Sequence, residues 1–191
     1  MKKMRKKIAI TLLILIPLIT FSQKKMGVLI GLNNSSISEG VLNQIDITDK
    51  MGFHLGGFYE FDISEKIKFR PKLVYSQQGN RDSGSSSIEH IDYKSEYLNL
   101  PLNFKFYDKT YILAGPQIGF LLSEKLPYFL NKGETIDFGV NIGFGQKIND
   151  LFLELNFYQG LTKAIDKPNY DGELKKGTNT LIQFSIGYYI F

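Results

Sequence analysis

Connections of alternating length separate stretches of alternating hydrophobicity along this chain, and that rhythm constrains the fold more than any single residue does. Eight such stretches run at roughly 26–33, 50–62, 66–78, 93–107, 110–123, 135–148, 151–162 and 178–190. The connections after the first, third, fifth and seventh are long, spanning 34–49, 79–92, 124–134 and 163–177, and are rich in Gly, Ser, Asn and Asp. After the second, fourth and sixth only Ile63-Ser64-Glu65, Asp108-Lys109 and Asn149-Asp150 intervene. A sheet threaded through a membrane has tight turns on the side facing its assembly compartment and longer loops on the far side. An even strand number with both chain ends on the short-turn side satisfies that requirement. The expectation is an all-β, eight-stranded, antiparallel up-and-down transmembrane β-barrel.

Each stretch has two unlike faces, as a period of two dictates. In the third, Ile67, Phe69, Leu73 and Tyr75 oppose Lys68, Arg70 and Lys72. In the fourth, Leu98, Leu100, Leu102, Phe104 and Phe106 oppose Asn99, Asn103 and Lys105. In the sixth, Ile136, Phe138, Val140, Ile142 and Phe144 oppose Asp137, Asn141 and glycines; in the seventh, Leu151, Leu153, Leu155 and Phe157 oppose Glu154 and Asn156. A soluble barrel turns its apolar face inward and a membrane barrel turns it to lipid. Eight strands enclose a space just wide enough for side chains. The apolar faces are too bulky for that space, whereas the opposing small and polar faces suit it.

With Ile63-Ser64-Glu65 as a loop, Glu60 stands opposite Lys68, Tyr59 opposite Phe69 and Phe61 opposite Ile67. With Asn149-Asp150 as a two-residue turn, Phe144 stands opposite Leu155 and Gly145 opposite Glu154. The lumen then holds Glu60, Lys68, Arg70, Lys72, Lys105, Asp137 and Glu154. Their opposite charges are expected to pair, because a buried unpaired charge is costly.

The chain opens with Lys2, Lys3, Arg5, Lys6 and Lys7, followed by an apolar run from Ile8 to Thr20 and small residues at Thr20 and Ser22. This reads as a secretory leader over 1–22, cleaved so that a barrel domain of 23–191 remains. The run is shorter than a membrane helix requires. Of the 23 basic residues in the chain, five lie in the leader, which leaves 18 against 19 acidic residues. The basicity therefore belongs to the leader, and no nucleic-acid partner follows from it. There is no cysteine, so neither disulfides nor a lipoprotein anchor are expected.

Tyr97-Leu98-Asn99-Leu100-Pro101-Leu102, Tyr111-Ile112-Leu113-Ala114-Gly115-Pro116-Gln117-Ile118-Gly119 and Asp137-Phe138-Gly139-Val140-Asn141-Ile142-Gly143-Phe144-Gly145 resemble the outer-membrane β-barrel domain of the PorT family of Bacteroidetes. Phe21-Ser22-Gln23 also resembles leaders of that phylum. The resemblance covers nearly the whole mature chain, most specifically 97–160. It implies an outer-membrane barrel, in most members without a known activity; the member that names the family takes part in type IX protein secretion. An inward arginine often carried by relatives stands here as Asn156. The terminal Phe191 resembles the signal read by the barrel-assembly machinery. It falls on the opposite parity from Ile182, Phe184, Ile186, Tyr188 and Ile190, and a bulge would reconcile them.

No catalytic motif stands out, and no cofactor is implied. His54 shares a face with Glu60, and His90 lies in a loop beside Glu89 and Asp92; neither sits in a nucleophile motif. The Glu89, His90 and Asp92 set has poor spacing for a metal. Side chains filling eight strands leave no aqueous pore. The leading expectation is a non-enzymatic barrel embedded in outer-membrane lipid that serves a structural or partner-binding role, in a secretion system or at the surface. Tyr128, Phe129 and Leu130 form its candidate contact. The alternatives are a lipid-modifying barrel enzyme and a soluble periplasmic ligand-binding barrel.

Overall fold

The computed structural model describes residues 25–38, 50–81, 92–125, 133–168 and 174–190. Within them lie nine strands: β1 (Lys25–Ser38), β2 (Lys50–Asp62), β3 (Ile67–Arg81), β4 (Asp92–Phe106), β5 (Thr110–Lys125), β6 (Ile136–Ile148), β7 (Leu151–Gly160), β8 (Ile165–Pro168) and β9 (Leu174–Tyr189). From β1 to β7 each strand pairs antiparallel with the next, β7 pairs with β9, and β9 returns to β1 from Gly27↔Tyr189 to Ser38↔Thr178. Eight strands therefore close a ring, which leaves no edge of unpaired backbone, as lipid demands. The leader, Phe191 and the Tyr128-Phe129-Leu130 cluster lie outside the described residues, as do Glu89 and His90.

The turn-side ends fall close to where the hydrophobic alternation places them, and β2 matches at both ends. Several loop-side ends run further than expected, whereas those of β6 and β7 fall one and two residues short. β1 continues through the mostly polar Asn34–Ser38, and β3, β4 and β5 also extend. Alternating apolarity marks only the part of a strand that meets lipid, whereas backbone pairing continues past it. For the same reason β8 was missed inside the last long connection; it pairs with Leu174 to Gly177 of β9, beyond the ring.

Between β6 and β7 the pairing is as expected, with Phe144↔Leu155 and Gly145↔Glu154, and Asn149 takes a φ of +57° in the tight turn. Between β2 and β3 the expected register is two residues off. Phe61 pairs with Phe69 and Asp62 with Lys68. Here the turn is longer: the Ile63 and Ser64 N–H groups both donate to Ile67 O at 3.0 Å, and the Ser64 hydroxyl accepts the Ile67 N–H at 3.2 Å. A slip of two preserves the faces while changing every partner. Further along, Pro71, Pro101 and Pro116 each lack an N–H, and the ladder with the preceding strand lapses beside each of them.

The outward face carries Ile30, Leu55, Leu73, Ile142, Phe157 and Ile186 at 38–62% exposure. That orientation rules out the soluble-barrel reading, which needs these groups inside. The inward face is less uniformly polar than expected. It also holds Phe58, Tyr93, Tyr97, Tyr111, Phe152, Tyr158 and Tyr189, all buried. Several fit because an inward glycine on the neighbouring strand gives the ring a slot. A Cβ on Gly27 would strike Phe58, on Gly187 Phe152, and on Gly145 the Tyr111 ring. On the lipid side, a Cβ on Gly57 would meet only Gly27 O, at 3.6 Å. Gly145→Ala is therefore expected to cost about 1–3 kcal/mol by overpacking, and Gly57→Ala no more than about 0.5 kcal/mol. Urea unfolding in lipid vesicles, followed by heat-shifted gel migration, measures both.

Candidate functional site in the barrel lumen

Alternation on β2, β3, β4 and β7 sends six of the seven expected charged residues to one zone, from the turn end of the lumen to its middle. Lys68 Nζ lies 3.0 Å from Asp108 Oδ1, 3.5 Å from Asp62 Oδ1 and 4.0 Å from Glu60 Oε2. Lys105 Nζ donates to Glu60 Oε1 and to the Tyr189 hydroxyl, both at 3.0 Å. Deeper in, Arg70 bonds Glu154 Oε1 through Nη1 at 2.5 Å and sits 3.4 Å from Glu60 through Nε. Lys72 Nζ donates to the other Glu154 oxygen. The Tyr111 hydroxyl adds a bond to Glu154 at 2.8 Å.

This charge sits within an aromatic layer. The Arg70 guanidinium lies 3.8 Å from the Phe58 ring centroid and 4.8 Å from that of Phe152, which provides cation–π attraction in a desolvated place. Phe58, Phe152 and Tyr189 meet edge to face at 5.2–5.4 Å and cluster with Leu29. Arg70 is fully buried, and ions and rings together fill this part of the lumen.

Charge balance there needs partners the sequence reading omitted. Four cations face only Glu60 and Glu154 inside, and the remaining negative charge comes from Asp62 and Asp108 at the turn-side rim. An excess of inward lysines over inward acids on strands next to short turns was the available signal. Partial burial would raise the Asp108 carboxyl, but its bond from Lys68 and the charges of Lys105 and Lys25 hold it at about 2.

Asp137 stays apart from this network. The Thr162 hydroxyl donates to it at 2.6 Å and Asn179 Nδ2 at 2.8 Å. Glu154 stands opposite Gly145, eight residues along β6 from Asp137, which is about 26 Å of strand. Parity placed Asp137 correctly inside, but it carries no information about height.

His54 is also inside, at 1% exposure. Its Nδ1 meets Asn33 Oδ1, and its Nε2 lies 2.8 Å from Ser185 Oγ. Asn33 Nδ2 is already donating to Ser76 Oγ and Gln77 O, so Oδ1 accepts from an Nδ1–H. That tautomer leaves Nε2 free to accept the serine proton. The sequence alone could not reveal this order, because Asn33, His54 and Ser185 come from β1, β2 and β9. Ser185 is itself only 2% exposed. Among the described residues, no group of three His, Asp or Glu side chains is placed to hold a metal.

Glu154→Gln is expected to destabilise the barrel by about 3–5 kcal/mol, since it leaves two buried cations short of an anion. Adding Lys72→Met should recover part of that loss in the same vesicle unfolding measurement. Asp108 has a folded pKa below its ordinary value of 3.8, so its contribution is present above about pH 4 and is lost as pH falls through about 2. The stability difference between the parent and Asp108→Asn should follow that course in a pH series.

The family described as "Outer membrane protein beta-barrel domain" matches residues 21–166. No curated protein matches the chain. Similar solved structures include Neisserial surface protein A, at 12% identity and a TM-score of 0.49, with 86% of this chain and 96% of that one covered. Another is the attachment invasion locus protein Ail of Yersinia pestis, solved with the heparin analogue sucrose octasulfate, at 15% identity and a TM-score of 0.43, covering 88% and 99%. A third is the outer membrane protein AlkL in lipid bilayers, at 12% identity and a TM-score of 0.41, covering 89% and 92%. With its closed eight-strand ring and an apolar wall turned outward, the chain belongs to the family of outer membrane protein beta-barrel domains.

Proposed function

We propose that this outer-membrane protein is a non-enzymatic structural or partner-binding barrel that works through its outer wall and loops. The filled lumen carries the reading: Arg70, Glu154, Lys72 and the Phe58, Phe152 and Tyr189 rings occupy the cross-section that a solute would need. Its leader, residues 1–22, is cleaved on export, and the barrel-assembly machinery then inserts the mature chain. The resemblance of residues 97–160 to PorT-type barrels of Bacteroidetes favours a partner within type IX secretion, and Tyr128, Phe129 and Leu130 are the candidate contact.

A second reading is favoured by one observation. Ser185, His54 and Asn33 stand in the order of a nucleophile, its base and an orienting amide, which is the arrangement a lipid-modifying barrel enzyme would use. Against it, Ser185 faces a packed lumen and not the lipid side where ester bonds lie. Lipid A and phospholipid profiles that change in a Ser185→Ala strain would favour this reading over the first.

The deciding comparison is the secretome of the parent strain against one lacking the gene. Type IX cargo is expected to disappear from the medium and build up in the periplasm. An unchanged secretome would remove the secretion role and leave a surface-contact barrel.

A further inference from the structure

The middle of the lumen is lined by amides whose bonding capacity the neighbouring side chains do not meet. Asn103, Gln117, Asn141 and Asn156, from the successive strands β4 to β7, lie on the inward face at 0–4% exposure. Neither Nδ2 nor Oδ1 of Asn103 has a hydrogen-bond partner among the described residues, so turning that amide over relieves nothing. Gln117 Nε2, Asn141 Oδ1 and Asn156 Oδ1 are in the same state. The bonds these amides do make are long, Asn141 Nδ2 to Gln117 Oε1 at 3.5 Å and Asn156 Nδ2 to Glu154 Oε2 at 3.4 Å. A buried polar atom left unpaired carries its full desolvation cost, and five on adjoining strands call for a shared partner.

Backbone register brings these groups to one zone. β4 and β5 pair as Pro101↔Gln117 and Phe104↔Ala114, a register in which Asn103 falls opposite Gly115. Gly115 in turn stands opposite Asn141. The inward position between the two asparagines thus carries no side chain to bond either, and two strand spacings set their Cα atoms about 10 Å apart. The zone is closed at both ends. Towards the turns stands the layer of Arg70 with Phe58, Phe152 and Tyr189. Towards the loops, the Tyr97 hydroxyl on β4 accepts from Asn179 Nδ2 on β9 at 3.3 Å, across the lumen, and Tyr93 packs with Ile37 and Ala164.

A guest enclosed there has to be small and has to both donate and accept. A cation would leave the free amide N–H groups unmatched, and an anion the free oxygens. Water matches both, and a buried water is held by about two to four polar partners.

We infer that the middle of the lumen is a binding site for ordered water, held by Asn103, Gln117, Asn141 and Asn156 and shut in by the ring layers at either end. The β4–β5 ladder lapses beside Pro116 at this height, so the water joins β4 to β6 and β7 where the backbone bonds between β4 and β5 are interrupted. The site is independent of any secretion partner, because it touches neither the outer wall nor the loops.

A crystal structure of the intact protein, at a resolution that shows water, tests this directly. Water within hydrogen-bonding distance of the Asn103 and Asn141 amides is the expected result. Amides bonded to one another or to other side chains with no water between them would overturn the inference, as would density for a bulkier guest. Two substitutions give an independent reading in lipid vesicles. Asn141→Leu keeps the volume but cannot bond water, whereas Asn141→Ser is smaller and leaves room for a further water in place of the amide. With water present, Asn141→Ser is expected to keep the higher midpoint of urea unfolding. A dry lumen reverses the order, because the serine leaves a cavity and the leucine removes an unpaired polar group. Equal midpoints, or a higher one for Asn141→Leu, therefore rule the site out. The crystal result rests on the parent protein alone and decides the matter if neither variant folds.

Discussion

Every backbone polar group in the membrane-spanning part of this protein must find its partner within the sheet, because lipid offers none. Closure of β9 onto β1 meets that demand, and the rest of the architecture follows. A ring of eight strands is narrow, so its inward face combines large rings and long charged side chains with glycines and small polar residues. The outward positions carry the apolar bulk. Where the ladder lapses, at the three prolines and between the loop-side ends of β2 and β3, the exceptions are local, and at those ends β1 side chains take over the missing bonds.

Charge inside the ring obeys a similar economy. Glu154 receives Arg70 and Lys72 from β3 and Tyr111 from β5, and Glu60 receives Lys105 and Tyr189. Such a network need not make the barrel more stable than an apolar filling would. It does specify which strands lie opposite one another across the lumen, information that neighbour-to-neighbour pairing lacks.

Much of this was legible in the sequence, for reasons that also set the limits. Parity is a local property, so the inward placement of Glu60, Arg70, Lys105 and Glu154 followed from strand alternation alone. The two-residue turn at Asn149-Asp150 left one register, and it held. The β2–β3 turn admitted two registers of the same parity, and only the bonds of Ser64 to Ile67 select between them. Height along the lumen was not legible, so Asp137 was grouped with charges far below it. Inward tyrosines such as Tyr111 and Tyr158 had no local signal, because the room for each ring comes from a glycine on another strand, Gly145 and Gly139. The Asn33, His54 and Ser185 contact joins three strands and had no local trace.

The Arg70–Glu154 bond spans 84 residues of sequence and joins β3 to β7. Until β7 arrives, a growing sheet in the bilayer leaves Lys72 without the carboxylate it bonds and Arg70 with only Glu60, which Lys105 also claims, at a cost of several kcal/mol for an exposed charge. A half-built sheet lying open in lipid is therefore a forbidden state for this chain. The strands must be gathered in a shielded place and released into the membrane together. The ion cluster that fills the finished barrel thus also dictates that the barrel enters its membrane whole.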